Sequence, residues 1–196
     1  MSHAEAEIRR RGAIPDEIEE PGPRGELARM EVGRLTYEIN VQQYACAGLN
    51  FGSYYDRSPI IVYDDAKHPA YTMESYTPST VPGCRTPHLC FEDGTSLYDA
   101  MGPEFTLLRF DPAIDVAPLQ EAARSRRVPL KLLDVHRPIA ASFYGNGLVL
   151  SRPDQHVAWR GDRLPPDALA LIDRVRGAAS ESLVRSESAK LSMGKA

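Results

Sequence analysis

From Phe105 onward, short strand-like segments alternate with helical ones, and this order constrains the fold more than any other feature of the sequence. The strand-like segments are rich in leucine, valine and aromatic residues and are bounded by proline, glycine or aspartate. Arg152-Pro153-Asp154-Gln155 has the composition of a hairpin loop, so the segments that flank it are predicted to pair antiparallel. The predicted order is a strand at 105–110, a helix at 118–127, a strand at 129–135, strands at 147–151 and 156–160, and a helix from Pro165 to Gly177. A short strand at 88–92 and a short helix that ends at Met101 are predicted to precede them.

Two parallel strands joined by a crossover helix, then a hairpin and a final helix, make a mixed sheet of four or five strands with helices on both faces. Thioredoxin has this arrangement. The predicted fold class is therefore α/β, a thioredoxin-like mixed sheet flanked by helices, over residues 87–178. A chain of 196 residues buries enough surface to fold in this way without a disulfide or a metal ion.

The residues before this domain predict a different organisation. Residues 1–23 are acidic and contain three prolines, so they are predicted to form a mobile arm. Between Arg24 and Cys46, apolar residues recur at steps of three and four, which predicts an N-terminal helix with a broad apolar face. A helix of this kind needs a surface to lie against, so it is the predicted docking element of the chain.

The segment between this helix and the α/β domain predicts little regular structure. Two strands are expected, at 49–55 and 59–63, followed by an extended connector that ends at residue 86. The domain that precedes the sheet is thus predicted to span 24–86. Residues 179–196 are small and polar and are predicted to be a frayed tail.

Charge and composition exclude several classes of function. The net charge of −4 argues against nucleic acid as a partner, because phosphate contacts need a clustered excess of lysine and arginine. Nowhere do 18 apolar residues run together, which argues against a membrane partner. Three irregularly spaced cysteines and a polar N-terminus favour reduced thiols, and the expected location is cytoplasmic.

The chemistry of a thioredoxin needs a Cys-x-x-Cys at the helix start that follows the central strand, where the helix dipole lowers the thiol pKa. The corresponding residues here, 111–115, read Asp-Pro-Ala-Ile-Asp and contain no sulfur. Cys84, His88 and Cys90 have the right side chains for a metal ion, but a fourth ligand with paired spacing is missing. No metal site is therefore predicted.

Acid–base chemistry has no better support from the sequence. Asp134 and His136 stand two residues apart, but no serine or cysteine lies in a nucleophile-elbow setting. No catalytic residue is therefore predicted.

Several motifs resemble those of a known family. Tyr76–His88 is similar to a proline-rich passage that ends in Pro-Gly-x-Arg-x-Pro-His in class A FAD-dependent aromatic hydroxylases of the phenol hydroxylase type. Further resemblances, in the same order as in that family, lie at 48–55, 93–99, 105–110 and 152–161. They span roughly residues 35–178 and resemble the C-terminal region of these enzymes. The resemblance implies a thioredoxin-like domain without redox cysteines.

The flavin-binding motifs of that family do not occur in this sequence. Its members hold FAD with a Gly-x-Gly-x-x-Gly turn and a second Gly-Asp motif, and neither is found here. The chain alone is thus predicted to bind no cofactor. FAD and NAD(P)H are implied only through a flavin-bearing partner, and the expected partner is a flavoprotein hydroxylase chain or a second copy in a homodimer.

Four residues stand out as interface or ligand contacts. Arg85 is predicted either to hold a carboxylate or carbonyl across a domain boundary, with support from His88, or to tie down the long connector together with His88. Tyr54 and Tyr55 are candidates for an interface or for stacking on a ligand. Three hypotheses remain open: a structural or interaction domain beside a flavin-bearing hydroxylase, a truncated hydroxylase inactive alone, or a stand-alone module that binds or acts on a phenolic or polyketide-like molecule.

Overall fold

The computed structural model describes residues 14–135 and 144–178, which form two compact units. Unit 1 comprises residues 14–51 and 71–76, and unit 2 comprises residues 52–70 together with the described residues from 77 onward. Residues 1–13 of the predicted arm at 1–23, His136 and the predicted tail at 179–196 lie outside the described residues.

Unit 2 is built on a mixed sheet of four strands in the order β2-β1-β3-β4. Strands β1 and β2 run parallel, and β1 pairs antiparallel with β3, which pairs antiparallel with β4. The strands are β1 (Phe105–Arg109), β2 (Leu130–Asp134), β3 (Leu148–Ser151) and β4 (Val157–Gly161). The predicted α/β fold, a mixed sheet flanked by helices with a helical N-terminal region, is confirmed.

The two faces of the sheet bury two separate cores, because successive strand residues point to opposite sides. Leu107 and Leu150 lie in the core under the helices α4 (Ala117–Ser125) and α5 (Ala168–Val175). Leu108 and Val149 lie in the opposite core, with α3 (Leu97–Met101). Each fully buried leucine contributes about 1.5–3 kcal/mol through removal of apolar surface from water.

Two helices of unit 2, α3 and α5, begin where the sequence supplies a side-chain cap. Ser96 accepts a hydrogen bond from the Tyr98 amide and starts α3, and Asp167 accepts one from the Ala170 amide and starts α5. Leu119 on α4 and Ile172 on α5 are buried in the same core. Because these apolar faces recur at helical spacing, the sequence predicted both helices to within three residues at each end.

The long connector closes the outer edge of β4. The Gly83 amide donates to the Val157 carbonyl (2.8 Å), and the Val157 amide donates to the Cys84 carbonyl (2.9 Å). The Val62 amide reaches the next strand residue, the Ala158 carbonyl (2.9 Å). An open strand edge is a site for unwanted pairing, and these backbone bonds remove it.

The strands predicted at 49–55 and 59–63 are wrong, and so is the strand at 88–92, where only Cys90 forms an isolated bridge. Residues Ala47–Phe51 form a short helix, α2, and residues 52–63 contain no strand. A Cβ at Gly48 would lie 1.8 Å from the Thr72 carbonyl oxygen, so glycine lets α2 pack directly on the segment 71–76. The alternating aromatic residues predict strands, but residues 49–63 form no strand pairing. Their one backbone hydrogen bond to β4 comes from the Val62 amide.

Unit 1 contains a 3-10 turn (Asp16–Glu19), the helix α1 (Pro23–Tyr44), α2 and residues 71–76. The helix predicted from Arg24 is confirmed. Arg29 donates to the carbonyl oxygens of Ile18 and Glu20 and fixes the turn against α1. No helix among the described residues is long and apolar enough to cross a membrane.

We predict that Gly83→Ala destabilises unit 2 by about 3 kcal/mol, since alanine adds strain at positive φ and a clash in a packed site. Gly83 has φ of +99°, and a Cβ there would lie 2.0 Å from the Tyr55 carbonyl oxygen. Urea denaturation measures the change.

Gly94→Ala is the matched control, because Gly94 has φ of +85° and no atom within 4 Å of an added Cβ. We expect Gly94→Ala to cost only the conformational strain, about 1 kcal/mol. Equal losses for the two variants would contradict a tight seat for the connector at Gly83.

Candidate functional site

The hairpin loop between β3 and β4, residues 152–156, organises the candidate site. Asp154 accepts hydrogen bonds from the Arg152 guanidinium (3.1 and 3.0 Å) and from the His156 backbone amide (3.2 Å). Gln155 adopts φ of +62°, a left-handed conformation that is uncommon outside glycine and turns the chain back into β4. The loop is therefore a rigid, charged turn.

Tyr55 lies on this loop. Its hydroxyl donates to Asp154 Oδ2 (3.3 Å), and the Arg152 guanidinium stands 5.3 Å from the centre of its ring. The His156 ring meets the Tyr55 ring edge-on at 4.9 Å. The Tyr55 side chain still leaves 41% of its surface exposed, so the loop presents an aromatic face to solvent.

Tyr54 belongs to a second aromatic group. Its ring stacks on His68 with centroids 4.2 Å apart and planes 3° from parallel. His68 Nε2 lies 2.9 Å from the Pro82 carbonyl oxygen, so this nitrogen carries the proton, because a carbonyl can only accept. Tyr63 donates to the Tyr55 carbonyl (2.9 Å), and burial raises the pKa of Tyr63.

Arg85 makes contacts within the domain. Its Nη2 donates to Gln155 Oε1 (2.7 Å) and its Nε to the Tyr98 hydroxyl (3.3 Å), with the guanidinium 5.2 Å from the Tyr98 ring centre. The Tyr98 hydroxyl donates to the Thr86 carbonyl (2.6 Å). These bonds tie the connector to the hairpin loop through side chains, whereas the structural alternative for Arg85 predicted bonds to backbone carbonyls.

His88 lies close to the same group. Its Nε2 is 2.9 Å from Ser96 Oγ, and its ring meets Tyr98 edge-on at 5.0 Å. The structure thus brings Arg85 and His88 together at Tyr98, and it brings Tyr55 to the same hairpin loop through Asp154. Contact of Arg85, His88, Tyr54 or Tyr55 with a partner or a ligand stays a prediction.

Sequence patterns do not predict the contacts that build this site. Arg152 and Asp154 are predicted only as parts of a hairpin loop, and no motif indicates a role for His68 or Tyr98. The one signal in the sequence is the density of tyrosine and histidine between residues 54 and 68.

The electrostatics of the loop centre on Asp154. Partial burial alone would raise the pKa of its carboxyl, but the hydrogen bonds from His156 and Arg152, with the nearby guanidinium charge, outweigh burial and hold the pKa well below its usual value. The carboxylate therefore stays charged throughout the physiological range and locks the loop.

The turn that follows β1, at 111–115, is held by interactions of its own carboxylates. Asp111 accepts from the Ala113 amide (2.9 Å), and Asp115 accepts from the Ala117 amide (2.9 Å) at the start of α4. Just before this loop, Arg109 forms a forked ion pair with Asp134 across the ends of β1 and β2 (2.6 and 3.0 Å). This edge is a salt-bridged turn without sulfur.

The cysteines lie elsewhere. Cys84 is buried, and burial raises the pKa of its thiol, so it is a poor nucleophile at neutral pH. Cys90 is exposed and Cys46 is half-buried. Within residues 14–135 and 144–178, no group of three or more histidine, cysteine, aspartate or glutamate side chains is arranged to hold a metal ion.

The sequence of the sheet and of the hairpin loop matches a known protein family. The family profile described as "Aromatic-ring hydroxylase, C-terminal" matches residues 79–179, which include the whole sheet and the hairpin loop. The chain belongs to this family. The resemblance found in the sequence motifs is therefore confirmed, and the domain is related to the C-terminal region of FAD-dependent aromatic monooxygenases.

Similar proteins of this hydroxylase group are much longer. The FAD-dependent monooxygenase opdD of Penicillium oxalicum is 32% identical over 154 residues, 74% of this chain and 28% of its own length. Phenol 2-monooxygenase of a Pseudomonas species is 31% identical over 172 residues, 76% of this chain and 27% of its own length. The chain thus spans less than a third of these relatives.

Solved structures agree with the aromatic-ring hydroxylase assignment. RebC soaked with chromopyrrolic acid, with bound 7-carboxy-K252c, superposes with a TM-score of 0.67 at 35% identity. The superposition covers 90% of this chain and 34% of RebC.

We predict that Asp154→Asn destabilises the domain by roughly 1–2 kcal/mol at pH 7, through loss of charge-assisted hydrogen bonds at a partly exposed site. Because the pKa of Asp154 is lower in the folded state, its contribution is present above about pH 4 and fades as the pH falls through the folded value.

Thermal unfolding of both proteins from pH 7 to pH 2 measures the effect. The difference between them should shrink on acidification, whereas the exposed Asp65→Asn control should match wild type at neutral pH. A constant difference across the range would show that the Asp154 charge does not stabilise the loop.

Proposed function

We propose that this chain acts as a non-redox, thioredoxin-like interaction domain beside the flavin-bearing part of an aromatic hydroxylase. The observation that carries the proposal is the family match to a hydroxylase C-terminal region in a sequence without a Gly-x-Gly-x-x-Gly turn. The sulfur-free turn at 111–115 supports the non-redox role.

The chemistry proposed for the partner is that of the FAD-dependent relatives. When bound, FAD supplies the hydride acceptance and oxygen activation of such enzymes, while protein groups position the substrate. The residues of this chain fit no flavin, because no strand-turn-helix with closely spaced glycines is present in the sequence to receive a pyrophosphate. In this proposal its own residues contact the flavin-bearing chain and do not hold the cofactor.

The surface that suits this role is the one built on the hairpin loop. Tyr55 offers an exposed aromatic ring held by Asp154 and Arg152, and exposed His88 is held by Ser96. Aromatic rings with a polar tip are enriched at protein interfaces, because they bury apolar area and still donate a hydrogen bond. Arg85 bonds the connector to the loop through Gln155, and Tyr54 stacks on His68.

We predict that the purified chain is colourless and retains no FAD through gel filtration. Co-expression with a flavin-bearing hydroxylase chain from the same organism should give a yellow complex that stays together in gel filtration. Absorbance between 350 and 500 nm across the eluted peak reports the flavin. A yellow preparation of this chain alone that oxidises NADPH would overturn the proposal.

Variants on the loop test the surface itself. Tyr55→Ala should weaken the complex at least tenfold, since an interface aromatic contributes more than 1 kcal/mol, while Arg85→Ala should mainly lower the melting temperature of the free chain. Leu169→Ala, which removes an exposed apolar side chain on α5, is the control and should leave the complex intact. Unchanged binding by Tyr55→Ala would exclude the loop as the contact surface.

A second candidate function rests on the same exposed ring. Tyr55, with a carboxylate and a guanidinium at its edge, is suited to stack on a phenolic or polyketide-like molecule without any partner. A thermal shift of the isolated wild-type chain with phenol or a polycyclic aromatic, lost in Tyr55→Ala, would favour this binding-module function. The absence of any shift at millimolar ligand would reject it.

A further inference from the structure

Residues 52–70 form a long loop that leaves unit 1 and returns to it. This loop belongs to unit 2 and contains no helix or strand, whereas the segments on either side of it, 47–51 and 71–76, belong to unit 1. We call residues 52–70 the closed loop. Loops of this length without regular structure are uncommon in compact domains and usually carry a function.

The closed loop begins and ends at a neck within unit 1, which is formed by residues 48–51 and 71–76. The Leu49 amide donates to the Met73 carbonyl across the neck (3.1 Å). An added Cβ at Gly48 would lie 1.8 Å from a backbone carbonyl oxygen of the opposite segment. The neck therefore holds both ends of the loop in backbone contact.

Further ties cross the closed loop within unit 2. The Tyr54 ring stacks on His68 with centroids 4.2 Å apart, and the Tyr63 hydroxyl donates to the Tyr55 carbonyl (2.9 Å). These two contacts are nested inside the neck along the chain. In a nested set, closure of the outer contact shortens the free chain that the inner contact must close, and this lowers the entropy cost of the inner contact.

The closed loop in turn positions part of the candidate site. The Tyr55 amide donates to the Gly83 carbonyl (3.0 Å), and the Asp64 carboxylate accepts a hydrogen bond from the Arg160 guanidinium (2.7 Å). Tyr55 is thus placed on the hairpin loop by a segment whose two ends are fixed in unit 1.

We propose that the closed loop couples the order of unit 1 to the hairpin-loop surface on which Tyr55 lies. When the neck opens, the stack of Tyr54 on His68 must close a longer free chain alone, so it opens more often and releases the adjacent Tyr55. The chain passes between the units at 51–52, 70–71 and 76–77, and each passage adjoins the neck.

The coupling acts in both directions, because linkage between two equilibria is reciprocal. A contact that orders unit 1 strengthens the Tyr55 surface, and a contact at Tyr55 protects the neck. This coupling is a property of the free chain and does not depend on the proposed function. Failure of the flavin-bearing partnership would leave it untouched, and its own failure would leave Tyr55 available to a partner.

Amide hydrogen exchange of the whole chain, followed residue by residue by NMR, tests the proposal. Gly48→Ala opens the neck, because its Cβ meets a backbone oxygen that cannot move aside. We expect exchange at least threefold faster at the Tyr55 and Val62 amides, which donate to acceptors in unit 2. The amides of β1 should exchange at the wild-type rate.

Gly33→Ala is the matched control, because Gly33 lies in α1 and has no atom within 4 Å of an added Cβ. It should leave the exchange of the Tyr55 and Val62 amides unchanged. If Gly48→Ala speeds exchange at the Leu49 amide in the neck but not at these two amides, the proposal is overturned.

Thr72→Val is a milder variant of the neck, which decides the question if Gly48→Ala also unfolds β1. It removes the hydroxyl that accepts a hydrogen bond from the Ser75 amide (3.0 Å) and so loosens the turn that faces Gly48. Faster exchange at Tyr55 with unchanged β1 amides supports the coupling, and wild-type exchange at Tyr55 contradicts it.

Tyr54→Ala tests the reverse direction. It removes the stack on His68 in unit 2 and should speed exchange of the Leu49 amide, in unit 1, at least threefold. Tyr54→Phe keeps the ring and should restore the wild-type rate. A Leu49 amide that exchanges equally fast in the wild-type chain and in both variants would overturn the coupling, whatever the neck variants show.

Discussion

The backbone pairing between the connector and the edge of β4 is the constraint on which the candidate site depends. Gly83, Cys84 and Val62 donate or accept hydrogen bonds along that edge. Gly83 can lie there because it has no side chain, and a Cβ at this position would clash with the Tyr55 carbonyl oxygen. This backbone pairing fixes the positions of Tyr54, Tyr55 and Arg85. Without it, these residues would belong to an unstructured loop, since they lie far from any strand of their own.

A second set of interactions fixes the hairpin loop from within. Asp154 collects the Arg152 guanidinium, the His156 amide and the Tyr55 hydroxyl, so a single carboxylate joins residues that are 99 positions apart in the chain. Arg85 joins the other side of the loop through Gln155. The polar groups at this corner therefore act chiefly on each other and leave aromatic faces for any external contact.

The sheet and its flanking helices could be predicted from the sequence because their signals are local. The helices carry apolar residues at helical spacing, and the strands end at Asp111-Pro112 and at the Pro153 turn. Residues 49–63 failed as strands because a strand needs a partner, and the close packing allowed by Gly48 favoured a helix instead. Tyr54, Tyr55, Arg85 and His88 could be named in advance, but their partners depend on long-range pairing that spacing does not encode.

The chain passes between the two units more than once, since residues 71–76 return to unit 1 after 52–70 have joined unit 2. During synthesis on the ribosome, the first unit thus stays incomplete until residue 76 has left the exit tunnel. Neither unit can be released intact by a single proteolytic cut. A recombination breakpoint within 52–76 would therefore disrupt both units.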